Sequence, residues 1–305
     1  MTSTSATPAA QNDAPQAPAA QAPAAANTAA PTVIEAARTA HAAWRTRRLE
    51  QLVAPLGNLA LVETRWLPNG QRLTAEEAAS GTADTVTATT LQRTNLDTGE
   101  PEYGVRLWDA QSPAIRAFDT VGAFDFDPSW VIEAEFTPVA EDRTIPFEHI
   151  RDNGGTRDLV VPGDIRFAKD GVDYTMSAFD DDGTLLLVFG DETNHRTGDG
   201  ASYGSGRFLF VQRIGSGAGS AVGSGVGNQA GNGAATGDDA VDSGSNGFGE
   251  AGRVLLDFNQ AFVPPCGFSV QYNCPMPPAQ NRFAGPVEAG EQTAVFRDGF
   301  DIYTV

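Results

Sequence analysis

Residues 165–189 read IRFAKDGVDYTMSAFDDDGTLLLVF, and this stretch decides the fold class. Ile165 to Phe167 and Val172 to Met176 flank Lys169-Asp170-Gly171. Asp-Gly is a favoured pair for a tight hairpin turn, whose central residues need positive φ. A second turn at Asp180-Asp181-Asp182-Gly183 leads into Thr184 to Phe189, and Arg207 to Val211 and Arg253 to Phe258 add two further strands. Five successive strands with short turns make an antiparallel meander, which closes as a barrel or packs as a sandwich. The expected class is therefore mainly β, with a barrel-like or sandwich core.

Upstream, Leu59, Leu61 and Trp66 predict a strand before the Pro68-Asn69-Gly70 turn. Val86 to Thr94 reads as an edge strand, and Tyr103 to Trp108 and Val131 to Phe136 as clearer ones. Residues 74–84 are weakly patterned. Thr32-Val33-Ile34-Glu35 fits a capping box, and Val33, Ala37, Ala40, Trp44, Leu49 and Leu52 continue at helical spacing until Pro55 and Gly57. One N-terminal α-helix packed on the β core is expected.

Residues 1–31 are Ala, Pro, Gln, Thr and Ser with almost no large apolar side chains, so they cannot offset their ordering entropy and read as a disordered tail. Residues 32–292 form the expected single domain, with 215–252 as a flexible Gly/Ser-rich insertion. That insertion is no phosphate loop, because no Gly-Lys-Ser/Thr follows. Residues 293–305 carry Phe296, Phe300, Ile302 and Tyr303 and form a C-terminal tail or a short docked strand.

The 305 residues carry a formal net charge of −19 and a pI near 4.4. Such a surface repels polyanions, which makes nucleic acid and anionic membrane poor partners. No apolar run reaches the roughly 18 residues of a membrane span. The N-terminus shows no basic start followed by an apolar block, so the expected location is the cytoplasm.

The segment from Val254 to Glu291 holds both cysteines and five prolines ahead of Pro286, with a dense set of Asp, Asn, Arg and Glu. Such a mixture marks a strap with a fixed path across one open end of the core. In order along the chain, several groups resemble domain-of-unknown-function family 1684. Pro55-Leu56-Gly57, Trp66-Leu67 and Gly70 come first. Tyr103-Gly104-Val105-Arg106 follows with Asp109, Ser112, Phe118, Pro128 and Trp130. Asp191, Thr193 and the run from Tyr203 to Leu209 come next. Leu256-Asp257-Phe258-Asn259, Pro264-Pro265-Cys266, Cys274-Pro275, Pro277-Pro278, Asn281-Arg282 and Ala289-Gly290-Glu291 complete the set. The likeness runs from about Trp44 to Glu291 and implies a fold but no activity. Gln260, Phe262, Val263 and Gln280 stand where the family pattern implies Arg, Tyr, Asn and Glu.

Two readings compete for the polar residues. Asp257, Asn259, Asn281, Arg282, Glu288 and Glu291 supply oxygens suited to a hard cation, or they satisfy buried backbone along an irregular crossing. Arg207 forks onto Asp191 or Asp257 beneath Tyr203, as an anion clamp or as a paired arginine closing a sheet. Arg106 and Asp109 read as a water-exposed strand-end ion pair. Cys266 and Cys274 lack zinc spacing and further ligands, and reducing conditions favour thiols over a strap disulfide. His149 and His195 read as exposed loop residues.

The leading functional expectation is a small-ligand-binding domain. Its pocket at the barrel mouth would be lined by Tyr203, Arg207, Asp257, Asn259, Arg282 and Asp191, and its ligand would be polar or anionic. The alternatives are a metal-assisted hydrolase or lyase using Asp257, Glu288 and Glu291, and a protein-interaction module.

Overall fold

The computed structural model describes residues 29–139, 143–181, 183–214 and 248–304. The expected disordered tail through residue 28 and the insertion from 215 to 247 lie outside the described residues.

In chain order the elements are α1 (Pro31–Leu52), β1 (Leu61–Trp66), α2 (Ala75–Ala79), β2 (Val86–Thr94), β3 (Pro101–Asp109), α3 (Pro113–Ala117), β4 (Phe118–Ala123) and β5 (Val131–Pro138). They continue with β6 (Thr144–Glu148), β7 (Thr156–Val160), β8 (Gly163–Lys169), β9 (Val172–Asp181), β10 (Thr184–Phe189), β11 (Arg207–Ile214), β12 (Gly252–Asp257) and β13 (Glu291–Phe296). The meander β8 to β12 is joined by β5, which pairs antiparallel with both β12 and β8 and so closes a barrel of six strands. Asp170 and Gly171 both take positive φ, as the hairpin between β8 and β9 requires. The core is thus a barrel, not a sandwich.

Ile132, Ala134 and Phe136 alternate into the barrel interior with Ile165, Phe167, Met176, Leu185, Leu187, Leu209, Val254 and Leu256. From Leu185 to Phe189 strand β10 is apolar without a break, and both its faces there are buried. Leu185 and Leu187 point inward, while Leu186 and Val188 join Phe179, Phe208 and Trp108 in a second cluster outside the barrel. That outer layer contains residues of the sheet β1-β3-β2 and of the hairpin β6-β7. Strand β2 lies at the edge of its sheet, as its alternating threonines predict.

Helix α1 covers another side, where Ala29, Ala37 and Val131 pack together. It begins at Pro31, with Ala30 at the N-cap and no side-chain cap. The capping box expected at Thr32 is absent because Pro31 already fixes the first turn. Its buried face runs through Ala37, Arg48 and Leu52, while Ala40 is exposed. The capping box of this region lies at Thr74 and Glu77 instead, opening α2 where the pattern looked weak.

The strap leaves β12 at Asp257, crosses the barrel end, and runs over the outer face through Phe262, Cys266, Tyr272 and Cys274. It returns through Asn281 and Phe283 and ends in β13, which pairs with β4.

Candidate functional site

Two strap aromatics plug the barrel mouth. Phe258 and Phe283 stand edge-on to each other with centroids 5.3 Å apart, and both lie 5.5 Å from Trp130. Phe189 meets Phe258 at 5.2 Å, and Tyr174 meets Phe283 at 4.9 Å. The rings bury the strap's apolar area where an open mouth would be, and their edge-to-face geometry suits aromatic quadrupoles.

Beside this plug, Arg207 opens β11 and is 0 % exposed. Its Nη1 donates to the carbonyls of Ala289 at 2.5 Å and Glu291 at 3.2 Å. Its Nη2 donates to Asp191 Oδ2 at 2.8 Å and to the Val287 carbonyl at 2.7 Å. Asp191 Oδ1 in turn accepts from the Thr193 backbone and hydroxyl and from Val287 N. The guanidinium therefore clasps the last turns of the strap onto the loop between β10 and β11. Burial pulls its pKa down, and Asp191 opposes that pull. Of the two partners the sequence offered Arg207, the structure pairs it with Asp191.

Tyr203 is tied to this loop by its backbone, accepting from Asn194 Nδ2 at 2.8 Å. Its hydroxyl points away from Arg207, donating to Cys266 Sγ at 3.5 Å. Arg282 lies near, its Nη1 facing Gly190, while its Nη2 donates to the Pro277 carbonyl at 3.1 Å. Asp191, Tyr203, Arg207 and Arg282 thus surround one loop.

Asp257 and Asn259 form a second group at the same barrel end. Asn259 Oδ1 accepts from Asp127 N at 2.8 Å, and its Nδ2 returns a bond to the Asp127 carbonyl at 3.0 Å. Asp257 accepts from the Asn259 backbone and side chain and from Gln260 Nε2 at 2.8 Å. Gln260, where the family resemblance implies Arg, thus serves as the neutral partner of Asp257.

Over this turn sits the part of the site that sequence reasoning missed, the face of α1 bearing His41 and Arg45. His41 is half-buried, stacked 5.9 Å from Trp44 and tilted 5.5 Å from Phe126. Burial lowers its pKa, while the Asp257 carboxylate and the Asn259 backbone work the other way. Arg45 donates through Nη2 to the Val121 carbonyl at 2.8 Å. Its Nη1 lies 3.6 Å from Glu291 and is buried without a hydrogen-bond acceptor among the described residues. The available signal was the spacing of His41, Arg45 and Arg48 on one helix face.

Several expectations need correction. His149 is buried, its Nδ1 proton directed at the Phe147 carbonyl 3.0 Å away, whereas His195 is exposed as expected. Arg106 is buried over the Tyr272 ring at 5.2 Å instead of lying in water. Asp257, Glu288 and Glu291 do not converge. Glu288 pairs with Arg196 on the surface, while Glu291 is buried against Arg45, Arg48 and Val263 N. Among the described residues no three His, Cys, Asp or Glu side chains are grouped to hold a metal ion. No helix among them is long and apolar enough to cross a membrane.

No curated protein matches the chain. Among solved structures it is similar to the solution NMR structure of an uncharacterised protein of Haloarcula marismortui. The identity is 25%, the TM-score 0.37, and the match covers 58% of this chain and 77% of that one. A family model described as "Protein of unknown function (DUF1684)" matches residues 116–222 and 238–292, together more than half of the chain. The matched range holds the strap and the barrel but not the earlier groups from Trp44 to Ser112. With the barrel, the Arg207 clasp and the proline-rich strap all inside that range, this chain belongs to the DUF1684 family.

Proposed function

We propose that this chain binds a small polar or anionic ligand at the strap end of its barrel, where α1 packs on the turn that follows β12. The supporting observation is Arg45 Nη1, which is ion-paired with Glu291 at 3.6 Å yet has no hydrogen-bond acceptor among the described residues, one helical turn from the half-buried His41. Unmet buried donors are uncommon and costly in a folded protein, and a ligand oxygen would satisfy this one. Asp257, Asn259 and Gln260 lie in the adjoining turn, with Asp257 and the Asn259 backbone close enough to act on His41. In this reading Asp191 and Arg207 act on the ligand only through the strap they clasp, and Tyr203 and Arg282 border the same barrel end.

The test has two arms. Native mass spectrometry of the protein purified from its own host should find a carried-over small molecule. Melting with inorganic phosphate, sulfate, acetate and citrate should raise Tm in a concentration-dependent way for the natural chain, because a ligand selective for the native state stabilises it by mass action. The rise should vanish in Arg45→Gln and shrink in His41→Ala. An unchanged Tm with every anion, together with an empty native mass spectrum, would overturn the reading, as would an equal shift in both variants.

A further inference from the structure

Cys266 and Cys274 both lie buried in the cluster outside the barrel. Cys266 sits in the short turn Pro265–Gly267, and its N–H donates to Cys274 Sγ at 3.3 Å. The two thiols also hydrogen-bond each other. On the solvent side the Tyr203 hydroxyl donates to Cys266 Sγ at 3.5 Å and lies 3.5 Å from the hydroxyl of Tyr303, which is 65% exposed. Two tyrosine hydroxyls therefore connect the sulfur pair to water. The Tyr203 ring packs on Gly267, where an added Cβ would stand 3.2 Å from it.

We propose that Cys266 and Cys274 are a peroxide-reactive dithiol that closes into a disulfide within the strap, with Tyr203 as the positioning residue that holds the attacking sulfur.

The two sulfurs are not equivalent. Cys266 accepts hydrogen bonds from the Cys274 thiol and from Tyr203 and lies near Arg151, so its thiol is pushed down despite burial. Cys274, wholly enclosed, is pushed up by that burial and keeps its proton. The thiolate is the nucleophile in such chemistry. Cys266 sulfur attacks one oxygen of hydrogen peroxide, the O–O bond breaks, and hydroxide leaves, so sulfur is oxidised to sulfenic acid and the peroxide reduced. Cys274 sulfur then attacks the sulfenic sulfur and the S–O bond breaks. The departing hydroxide takes the Cys274 proton as water. The dithiol has given up two electrons to one peroxide.

The experiment uses the full chain, reduced, desalted, exposed to hydrogen peroxide and alkylated with iodoacetamide before tryptic mapping. Both cysteines fall in one peptide, from Val254 to Arg282. The expected product is that peptide carrying an internal disulfide and no alkyl group. Two outcomes would overturn the proposal: over-oxidation of one cysteine while the other stays alkylatable, or two alkylated thiols at peroxide levels that oxidise the unfolded chain. Cys274→Ser should accumulate a dimedone-trapped sulfenic acid at Cys266, and Cys266→Ser should leave Cys274 unlabelled. The reverse pattern would refute the assigned roles. Tyr203→Phe should slow disulfide formation about twofold to tenfold, the worth of one hydrogen bond, and should raise the pH midpoint of Cys266 alkylation. An unchanged midpoint would remove Tyr203 from the site.

Discussion

The Asn281 carboxamide stands in for a strand's backbone opposite Ser177, accepting its N–H at 2.9 Å and returning a bond to its carbonyl at 2.8 Å. The same Nδ2 reaches the Val188 carbonyl at 2.9 Å, so one side chain spans β9 and β10 where their own ladder has ended at Phe179 and Leu186. Asn281→Leu should cost about 3 kcal/mol or more, because it strands three buried backbone groups at about 1–3 kcal/mol each. Asn281→Asp should cost at least as much, since a carboxylate cannot donate to either carbonyl. Urea unfolding decides it, and a loss under about 1 kcal/mol for both would show that water reaches this gap.

Arg207→Lys should destabilise the fold by about 3 kcal/mol. The guanidinium serves one carboxylate oxygen and three strap carbonyls in a fixed fork, and an ammonium cannot match that geometry. Asp191→Asn should fall in the same range, because it leaves the Arg207 charge buried without its partner. A double variant costing no more than either single one, measured in a mutant cycle, confirms that the two act as a unit.

Much of the fold was legible in the residues, and the reasons are local. Lys169-Asp170-Gly171 fixes its hairpin through backbone geometry, and the turn at Asp180 to Gly183 sets the start of the next strand at Thr184. β6 and β7 were missed because Pro146 and the alternating charges of Arg157 and Asp158 disguise a hairpin that packs on one face only. Along the helix, Val33, Ala37, Trp44, Leu49 and Leu52 of the expected stripe pack on the core, but the stripe overlooks Arg48, which adds polar docking through Glu291, Asn58 and the Val263 carbonyl. For the polar residues, sequence named Asp191, Arg207, Asp257 and Asn259 but missed His41 and Arg45, and it left the partner of Arg207 open between Asp191 and Asp257. Asp257 and Arg207 share a barrel end yet bind separate partners, and a long-range choice of that kind leaves no periodic trace.

Glu291→Gln should loosen α1. The carboxylate is 0 % exposed and holds Arg48 at 3.2 Å and Val263 N at 2.8 Å. Removing the charge leaves two arginines without a counter-ion, which costs about 3–5 kcal/mol for a buried pair. Limited trypsin digestion should cut after Arg45 and Arg48 faster than in the natural chain. Equal cleavage rates would show that apolar packing alone docks the helix.

Gly290→Ala should be several times more costly than Gly171→Ala. Both glycines have positive φ, near 79° and 78° respectively. Gly171 faces open space, so its substitution costs only the left-handed backbone penalty of about 1–2 kcal/mol. At Gly290 a Cβ would stand 2.6 Å from the Ala261 carbonyl and 2.7 Å from that of Phe258, both backbone atoms that cannot swing away. Paired urea curves compare the two directly.

Acid should weaken the protein partly through His149. Its pKa lies below the ordinary 6.5 because burial disfavours the charged ring. Above that value the ring is neutral folded and unfolded, and its contribution is complete. As pH falls below about 6.5 the unfolded chain takes up the proton first, so stability is lost until the lower folded pKa is passed. His149→Gln should flatten this part of the urea-midpoint curve between pH 7 and 5. A slope identical to that of the natural chain would assign the loss elsewhere.

The seam between β5 and β12, from Gly252 opposite Phe136 to Asp257 opposite Val131, has a consequence for synthesis. A ribosome releases β5 long before β12, so the nascent polypeptide carries two open strand edges until its C-terminal third emerges. Closing that long loop is entropically late, and until then each edge can recruit a neighbouring polypeptide. Truncations upstream of Asp257 should therefore accumulate as insoluble aggregates, whereas losses downstream of Phe296 should leave a cylinder that still shuts.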